Sequence, residues 1–182
     1  MDIPIIRSNR KTVSLAITAD GPVIRAPLHM PKKQIDAFVR EHQDWLDKHM
    51  QKFETRQAAA EQAGRLTDTE LRALAQQALE YIPGRVAYYA PLVGVSYGRI
   101  TIRNQHTRWG SCSAKGNLNF NCLLMLTPPE VIDSVVVHEL CHRKEMNHSE
   151  RFYAEVLRVF PEYRKWQKWL KENGGVLMAR MG

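Results

Sequence analysis

The chain has 182 residues, of which 44% are hydrophobic and 25% are charged, and its formal net charge is +7 at pH 7. This composition suits a compact globular protein and excludes a disordered or fibrous one. No segment approaches the ~20 consecutive apolar residues of a membrane-spanning helix, and the first residues lack the apolar run of a secretory signal peptide, so we expect no membrane association.

The N-terminal third predicts a β-hairpin followed by a helix. Apolar and polar residues alternate over residues 13–18, Asp20-Gly21 is a hairpin-turn signal, and Val23-Ile24-Arg25 predicts the returning strand. A helix with one apolar face is expected over residues 31–53. Residues 54–65 then predict a linker or a helix end, which places a domain boundary near residue 60.

The next segments predict a helix and then a second hairpin. Thr67 and Glu70 have the spacing of a helix-start capping box, and Pro83-Gly84 interrupts the helical pattern that follows without necessarily ending it. Residues 95–103 and 117–121 alternate as β-strands do, with a long turn between them. We expect these two strands to form a small antiparallel sheet.

Residues 138–148 read HELCHRKEMNH and are the most informative segment. His138 and His142 are spaced i, i+4, so on a helix they share one face and can bind one metal ion. Glu139 is rotated by about 100°, which suits contact with a metal-bound water better than ligation. Hydrolytic zinc sites use three protein ligands and an open position, and His148 is a candidate for the third.

The helix that carries this motif has a clear predicted start. Thr127 is a candidate N-cap, Pro128 suits the first helical position, and Glu130 completes a capping box. Residues 131–137 are rich in β-branched side chains, which favours a buried helix over an exposed one. Because HExxH has only three fixed positions, the alternative is a buried helix whose histidines only satisfy hydrogen bonds.

The third ligand has two candidates. The spacing H-E-x-x-H-x5-H of His148 is that of the metzincin zinc ligands, but the glycine that makes the turn in that pattern is Glu145 here, so Asn147 would have to supply a left-handed turn. The other candidate is Glu155, on a helix expected to begin after Ser149. If His148 ligates the metal, Glu155 becomes either a carboxylate supporting a metal-bound histidine or a solvated surface residue.

Three segments together resemble the YgjP-type zinc metallopeptidase domain family, a relative of the SprT-like and WLM peptidases. They are residues 107–152, from TRWGSC to HSERF; residues 8–27, from SNRKTV to VIRAP; and residues 161–170, PEYRKWQKWL. The resemblance implies a zinc-dependent peptidase with His138, His142 and His148 as ligands and Glu139 as the catalytic base. It implies little about the substrate.

Together, the elements and the resemblance predict an α+β, zincin-like metallopeptidase domain. Its HExxH helix would pack on the small antiparallel sheet. An N-terminal lobe of a β-hairpin and a helix would span residues 1–60 and the catalytic domain residues 61–182, or residues 1–182 would form one continuous domain.

The predicted chemistry uses one Zn²⁺ per chain, water in the open position, Glu139 as general base, and a peptide or protein as substrate. A strand beside the metal helix is expected to pair with the substrate backbone. His106 and Arg108 are candidates for oxyanion stabilisation. Trp109 is either a packed plug of the turn or a residue that faces the substrate.

The three cysteines, Cys112, Cys122 and Cys141, form no disulfide framework, so we expect a reducing, cytoplasmic setting. Cys141 precedes His142 and points to another part of the helix surface, which predicts a small buried side chain rather than a ligand.

The positive charge leaves a second hypothesis open. It is compatible with a nucleic-acid partner, although no run of five like charges occurs and the basic residues at 164–171 fit the solvated face of a helix. The alternative function is therefore a zinc-containing, DNA-associated binding or adaptor protein with little turnover.

Overall fold

The computed structural model describes residues 3–18 and 20–181. The chain divides into two compact units, Met1–Ala63 and Gly64–Gly182, and each has a hydrophobic core of its own. Within the described residues, none of the helices combines the length and the apolar character that a membrane span requires.

The first unit contains the predicted N-terminal hairpin. Strands β2 (Ser14–Thr18) and β3 (Gly21–Pro27) are antiparallel, and Gly21 adopts φ 111°, a conformation that glycine tolerates best. A further strand that the sequence analysis did not predict, β1 (Ile5–Ser8), pairs in parallel with β3, so the strand order is β1-β3-β2.

The predicted helix over residues 31–53 is two helices, α1 (Lys32–Glu41) and α2 (Gln43–Ala63). They break at His42, whose imidazole Nδ1 lies 2.9 Å from the Phe38 carbonyl oxygen that a continuing helix would use for the His42 amide. Of the two predictions for residues 54–65, the helix end is observed and the linker is not: α2 continues to Ala63, because the Ala, Gln, Glu and Arg residues of this segment are good helix formers.

The second unit begins with α3 (Asp68–Val93). The predicted capping box is present: the Glu70 amide donates to the Thr67 hydroxyl at 3.2 Å, and the Thr67 amide donates to the Glu70 carboxylate at 2.7 Å. The helix continues through Pro83 and ends at Gly94 with φ 77°.

The second sheet differs from its prediction. Strands β4 (Ile100–Arg103) and β6 (Leu118–Asn121) are neighbours, but they pair in parallel and do not form a hairpin. The antiparallel partner of β6 is β5 (Gly110–Cys112), which lies in the segment expected to be a long turn.

The sheet is therefore mixed rather than antiparallel, with order β4-β6-β5. The tight turn that reverses the chain lies between β5 and β6, where the Ser113 amide donates to the Asn117 carbonyl at 2.9 Å and Gly116 has φ 79°. A chain that reverses there brings β5, not β4, antiparallel to β6.

Helix α4 (Pro129–Cys141) carries the HExxH motif and is buried along nearly its whole length, as its β-branched residues predicted. It packs against α3, β5, α5 (Glu150–Val159) and α6 (Tyr163–Ala179). The α+β class predicted from the sequence is confirmed.

The predicted start of α4 is wrong in its details. Thr127 does not cap the helix, because its hydroxyl donates to the Leu124 carbonyl at 2.7 Å, in the 3₁₀ turn Cys122–Leu126 that precedes it. Pro128 is the N-cap, without a side-chain cap, and Pro129 is the first helical residue.

A buried ion pair ties α4 to α3. The Arg85 guanidinium donates to both carboxylate oxygens of Asp133, at 2.6 and 2.8 Å, and the Tyr89 hydroxyl donates to the same carboxylate at 3.1 Å. Asp133 is 8% exposed, so without these donors its charge would be buried and unpaired. The ion pair raises the pKa of Arg85, and burial is the main cause that raises the pKa of Tyr89 to about 12.

We expect Arg85→Met to lower the free energy of unfolding by about 1.5–3 kcal/mol, because it leaves a buried carboxylate short of two charge-assisted hydrogen bonds. Urea unfolding of purified protein would measure it. Arg72→Met is the matched control, since Arg72 is an exposed residue of the same helix. Replacing both partners, as in Arg85→Met/Asp133→Leu, should recover part of the lost free energy of unfolding. Equal losses in Arg85→Met and Arg72→Met would contradict the role of Arg85 in holding α4 against α3.

Candidate metal centre

Three histidine side chains converge at the C-terminal end of α4. His138 lies in the last turn of the helix, His142 is its C-cap residue, and His148 lies in the segment before α5. The His138 Nε2 atom is 3.2 Å from His142 Nε2 and 3.1 Å from His148 Nε2. The ligand atoms of all three lie within 4.8 Å of one another.

This arrangement fits a divalent metal ion. Two imidazole nitrogens on a tetrahedral ion at 2.0–2.1 Å stand about 3.4 Å apart, close to the spacing of the Nε2 atoms. Burial lowers the pKa of His138 to about 3, with a further contribution from the neighbouring imidazoles, and burial also lowers the pKa of His142. Both therefore stay neutral at physiological pH, as a ligand must be.

The chain returns from His142 to His148 without a left-handed residue, since no non-glycine residue in the described part of the chain has positive φ. The turn expected at Asn147 is therefore wrong. The chain instead continues in tight turns after α4, where the amides of Lys144 and Glu145 both donate to the Cys141 carbonyl at 2.9 and 3.0 Å.

Helix α5 carries the aromatic ring that packs against the three histidines. Ser149 caps it, as predicted, by accepting a hydrogen bond from the Phe152 amide at 3.3 Å. The Phe152 ring is fully buried and contacts all three imidazoles at centroid distances of 4.6–5.0 Å. The capped helix start therefore fixes the ring that supports the three histidines.

The Nδ1 atoms of the two helix histidines have hydrogen-bond partners. His138 Nδ1 lies 2.8 Å from the hydroxyl of buried Tyr163, and His142 Nδ1 lies 3.1 Å from the Glu145 carbonyl oxygen. The Gln167 amide donates to the Tyr163 hydroxyl at 3.1 Å. These bonds leave Nε2 free to face the metal position, as in other metal-bound histidines.

Tyr163 and Gln167 were not predicted. The available signal was their i, i+4 spacing on α6, which puts both on one face. That face meets the site only because α6 folds back onto α4, a long-range contact that the sequence pattern does not reveal.

Glu155, the alternative ligand, forms ion pairs with two basic side chains. Its carboxylate lies 2.6 Å from Lys144 Nζ and 2.6 Å from Arg158 Nη2. Arg158 and Lys144 lower the pKa of Glu155 to about 2. The structure therefore supports neither of its predicted metal roles: it is absent from the histidine group and does not bond to an imidazole.

Glu139 lies next to the histidines in a cavity of about 230 Å³. It is 5% exposed, and burial raises its pKa to about 8, while the nearby charge of Arg108 opposes the shift. Besides His138 and Glu139, the cavity is lined by seven residues: Trp109, Gly110, Ser134, Val135, Tyr163, Gln167 and Leu170.

Gly110 leaves room for the Glu139 side chain. A Cβ atom at position 110 would lie 2.6 Å from Glu139 Oε1 and 2.8 Å from its Cγ, closer than real contacts allow. Strand β5 can therefore pass directly beside the carboxylate only because this residue has no side chain.

Trp109 packs in the turn, as one of its two interpretations predicted, and its substrate-facing role stays a prediction. Its ring packs so closely on α6 that a Cβ atom at Gly174 would lie 2.9 Å from it, and it also lines the cavity. Of the other two loop candidates, Arg108 acts on Glu139 through its charge. His106 is exposed and is not among the cavity residues.

Asn121, at the end of β6, orders the loop before Trp109. Its amide donates to the carbonyls of Gln105 and Arg108 at 2.6 and 3.1 Å, and its oxygen accepts from the Leu123 amide at 3.1 Å. Sequence reasoning placed Asn121 on a strand face but did not predict this role.

Cys141 is fully buried outside the histidine group, and burial raises its pKa to about 12.

Comparison with protein families matches two overlapping segments, residues 11–72 and 68–173, to the YgjP-like metallopeptidase domain. The chain belongs to the YgjP-like metallopeptidase family. It is therefore a hydrolase whose substrates are peptides or proteins, and the family implies a divalent metal that the three histidines could hold.

Two solved structures resemble the YgjP-like chain. One is the metallopeptidase zymogen abylysin of Pyrococcus abyssi, with 21% identity and a TM-score of 0.46 over 50% of this chain and 93% of that one. The other is the metallopeptidase zymogen jannalysin of Methanocaldococcus jannaschii, with 20% identity and a TM-score of 0.45 over 50% of this chain and 95% of that one. No curated protein matches the chain.

Tyr163→Phe should weaken metal binding of this YgjP-like chain about 10- to 100-fold, the usual effect of losing a hydrogen bond to a ligating histidine. Competition with a chromophoric chelator would measure the dissociation constant for Zn²⁺. Tyr153→Phe is the matched control, because Tyr153 also packs against His148 but its hydroxyl has no hydrogen-bond partner among the described residues. Equal affinities of the two variants would contradict the orienting role of Tyr163.

Gly110→Ala should reduce peptidase activity by about 10²-fold, because the new methyl group displaces the Glu139 carboxylate. Metal content should stay unchanged, since the three atoms nearest to a Cβ at position 110 all belong to Glu139. Gly84→Ala is the control, as a Cβ atom there meets nothing within 4 Å. A Gly110→Ala variant with full activity would show that the position of Glu139 does not matter.

Proposed function

We propose that the protein is a zinc-dependent peptidase that hydrolyses peptide bonds with Glu139 as general base and His138, His142 and His148 as the ligands of one Zn²⁺ per chain. The observation that carries the proposal is that His138 Nε2 lies 3.2 Å from His142 Nε2 and 3.1 Å from His148 Nε2, beside a cavity that contains Glu139.

The donor set favours zinc. Imidazole nitrogens suit Zn²⁺ well, and three protein ligands leave one position open, which is typical of catalytic rather than structural sites. When bound there, Zn²⁺ lowers the pKa of water to about 7 and polarises the scissile carbonyl. His148 is exposed, so the metal position is accessible from solvent.

The protein residues have separate tasks in this mechanism. Glu139 accepts the proton of the attacking water and then delivers it to the nitrogen of the leaving amine. Its carboxylate has no hydrogen-bond partner in the described part of the chain, so its oxygens are free for this transfer. Burial raises the pKa of Glu139 to about 8, so the ionised, proton-accepting form depends on nearby positive charge. Arg108 supplies part of that charge, and a bound divalent ion would supply more.

The substrate backbone has a natural place beside Glu139. Within the described residues, strand β5 pairs with β6 alone and is an edge strand, and its first residue, Gly110, lines the cavity. An extended peptide that adds to this edge would gain main-chain hydrogen bonds. It would also bring one of its peptide bonds next to the catalytic carboxylate.

Glu139→Gln should keep one zinc per chain and lose peptidase activity by at least about 10²-fold, the usual contribution of a general base. His142→Ala and His148→Ala should lose both metal and activity. Elemental mass spectrometry and cleavage of a quenched fluorescent peptide library would measure the two quantities.

Glu155→Gln is the control that separates the two candidate ligands, and it should retain full zinc. Full zinc in His148→Ala would overturn the three-histidine site. A zinc-loaded wild type that cleaves no peptide would instead favour the alternative of a zinc-containing binding protein.

A further inference from the structure

A row of basic side chains on α6 lies beside the cavity that contains Glu139. Three residues spaced i, i+4 and i+7 share one face of the helix and line an open groove of about 620 Å³: Arg164, Lys168 and Lys171. We call them the basic row. The groove and the cavity share walls made by three side chains: Trp109, Gln167 and Leu170. A substrate that enters the cavity therefore lies next to the basic row.

The charge of the basic row is largely unneutralised. Arg164 and Lys171 have no ion-pair or hydrogen-bond partner among the described residues, and Lys168 Nζ is 3.9 Å from Glu172 Oε1, at the limit of an ion pair. Lys165, on another face of α6, differs: its Nζ is 3.2 Å from Glu162 and lies 4.5 Å from the centre of the Trp166 ring. The free positive charge of this part of α6 thus faces the groove.

The cavity itself is suited to an apolar side chain. Trp109, Val135 and Leu170 form its apolar walls, and its volume of about 230 Å³ exceeds the roughly 150 Å³ that is enough to hold a benzene ring. A branched aliphatic or aromatic side chain would fill it, and an alanine would leave it mostly empty.

We propose that the enzyme selects peptides with a large apolar residue beside the scissile bond and one or more acidic residues a few positions farther along. This inference rests on the proposed peptidase function. From Arg164 to Lys171 the basic row extends about 10 Å along the helix, the length of about three residues of an extended peptide. The acidic residues are therefore expected within about three positions of the apolar one.

The test compares pairs of quenched fluorescent peptides that differ only by Glu against Gln at these positions. Wild type should cleave the Glu peptide with the higher kcat/KM, by about two- to fivefold for each exposed ion pair, and the preference should fall as salt rises. In the Lys168→Glu/Lys171→Glu variant the preference should reverse, and Lys peptides should be cleaved best. Lys168→Glu alone should weaken the preference, and Lys165→Glu, which changes the charge by the same amount, is its matched control and should keep the wild-type preference.

Binding separates this inference from the proposed function. Zinc-loaded Glu139→Gln, titrated with the same peptides in fluorescence anisotropy, should bind the Glu peptide more tightly by the same factor. If it does while wild type cleaves nothing, the proposed hydrolysis fails, and the inference is upheld only as a peptide-binding preference of the groove. Equal binding of the Glu and Gln peptides would overturn the inference. A loss of preference in Lys165→Glu as large as that in the basic-row variant would also overturn it, since net charge alone would then explain the preference.

Discussion

The burial of helix α4 is the constraint on which the site depends. The helix is apolar on nearly every side and packs against α3, α5, α6 and the edge strand β5, so it cannot rotate or slide without exposing core residues. Such a helix holds its polar groups at fixed positions. The helix carries two buried carboxylates, Asp133 and Glu139, whose surroundings differ.

Asp133 and Glu139 lie on the same buried helix in opposite electrostatic situations. Asp133 is bonded to Arg85 and Tyr89, so its charge is stabilised and it secures α4 to α3. Glu139 faces a cavity, with the charge of Arg108 nearby, and burial raises its pKa to about 8. The first arrangement serves stability, and the second leaves a carboxylate free to exchange a proton.

What the sequence could predict was local. The capping box at Thr67, the turn at Gly21 and the cap at Ser149 involve residues at most three positions apart, and their chemistry is the same in any fold. The i, i+4 spacing of His138 and His142 belongs to the same class. Each of these patterns specifies its geometry without reference to the rest of the chain.

What failed depended either on distant partners or on a competing local acceptor. The parallel pairing of β4 with β6 follows from a crossover whose direction no alternation pattern encodes. Thr127 had a cap pattern, but the 3₁₀ turn before it supplied a competing acceptor, the Leu124 carbonyl. Tyr163 reaches His138 across 25 positions of the chain, so only the packing of α6 on α4 reveals it.

The case of Glu155 shows how two nearby cations decide between candidate ligands. A carboxylate that coordinated the metal would have to leave Lys144 and Arg158. Its bond to the metal would be gained at the loss of several charge-assisted hydrogen bonds.

His148 has no such competing partner among the described residues: its Nε2 atom already points to the imidazole nitrogen of His138, and the Phe152 ring supports it. In the proposed mechanism, three imidazole ligands would leave a bound divalent ion its full charge, which would strengthen its action on the water and on the scissile carbonyl. The ion pairs of Glu155 therefore do more than stabilise α5, because they keep a competing negative charge away from the metal position.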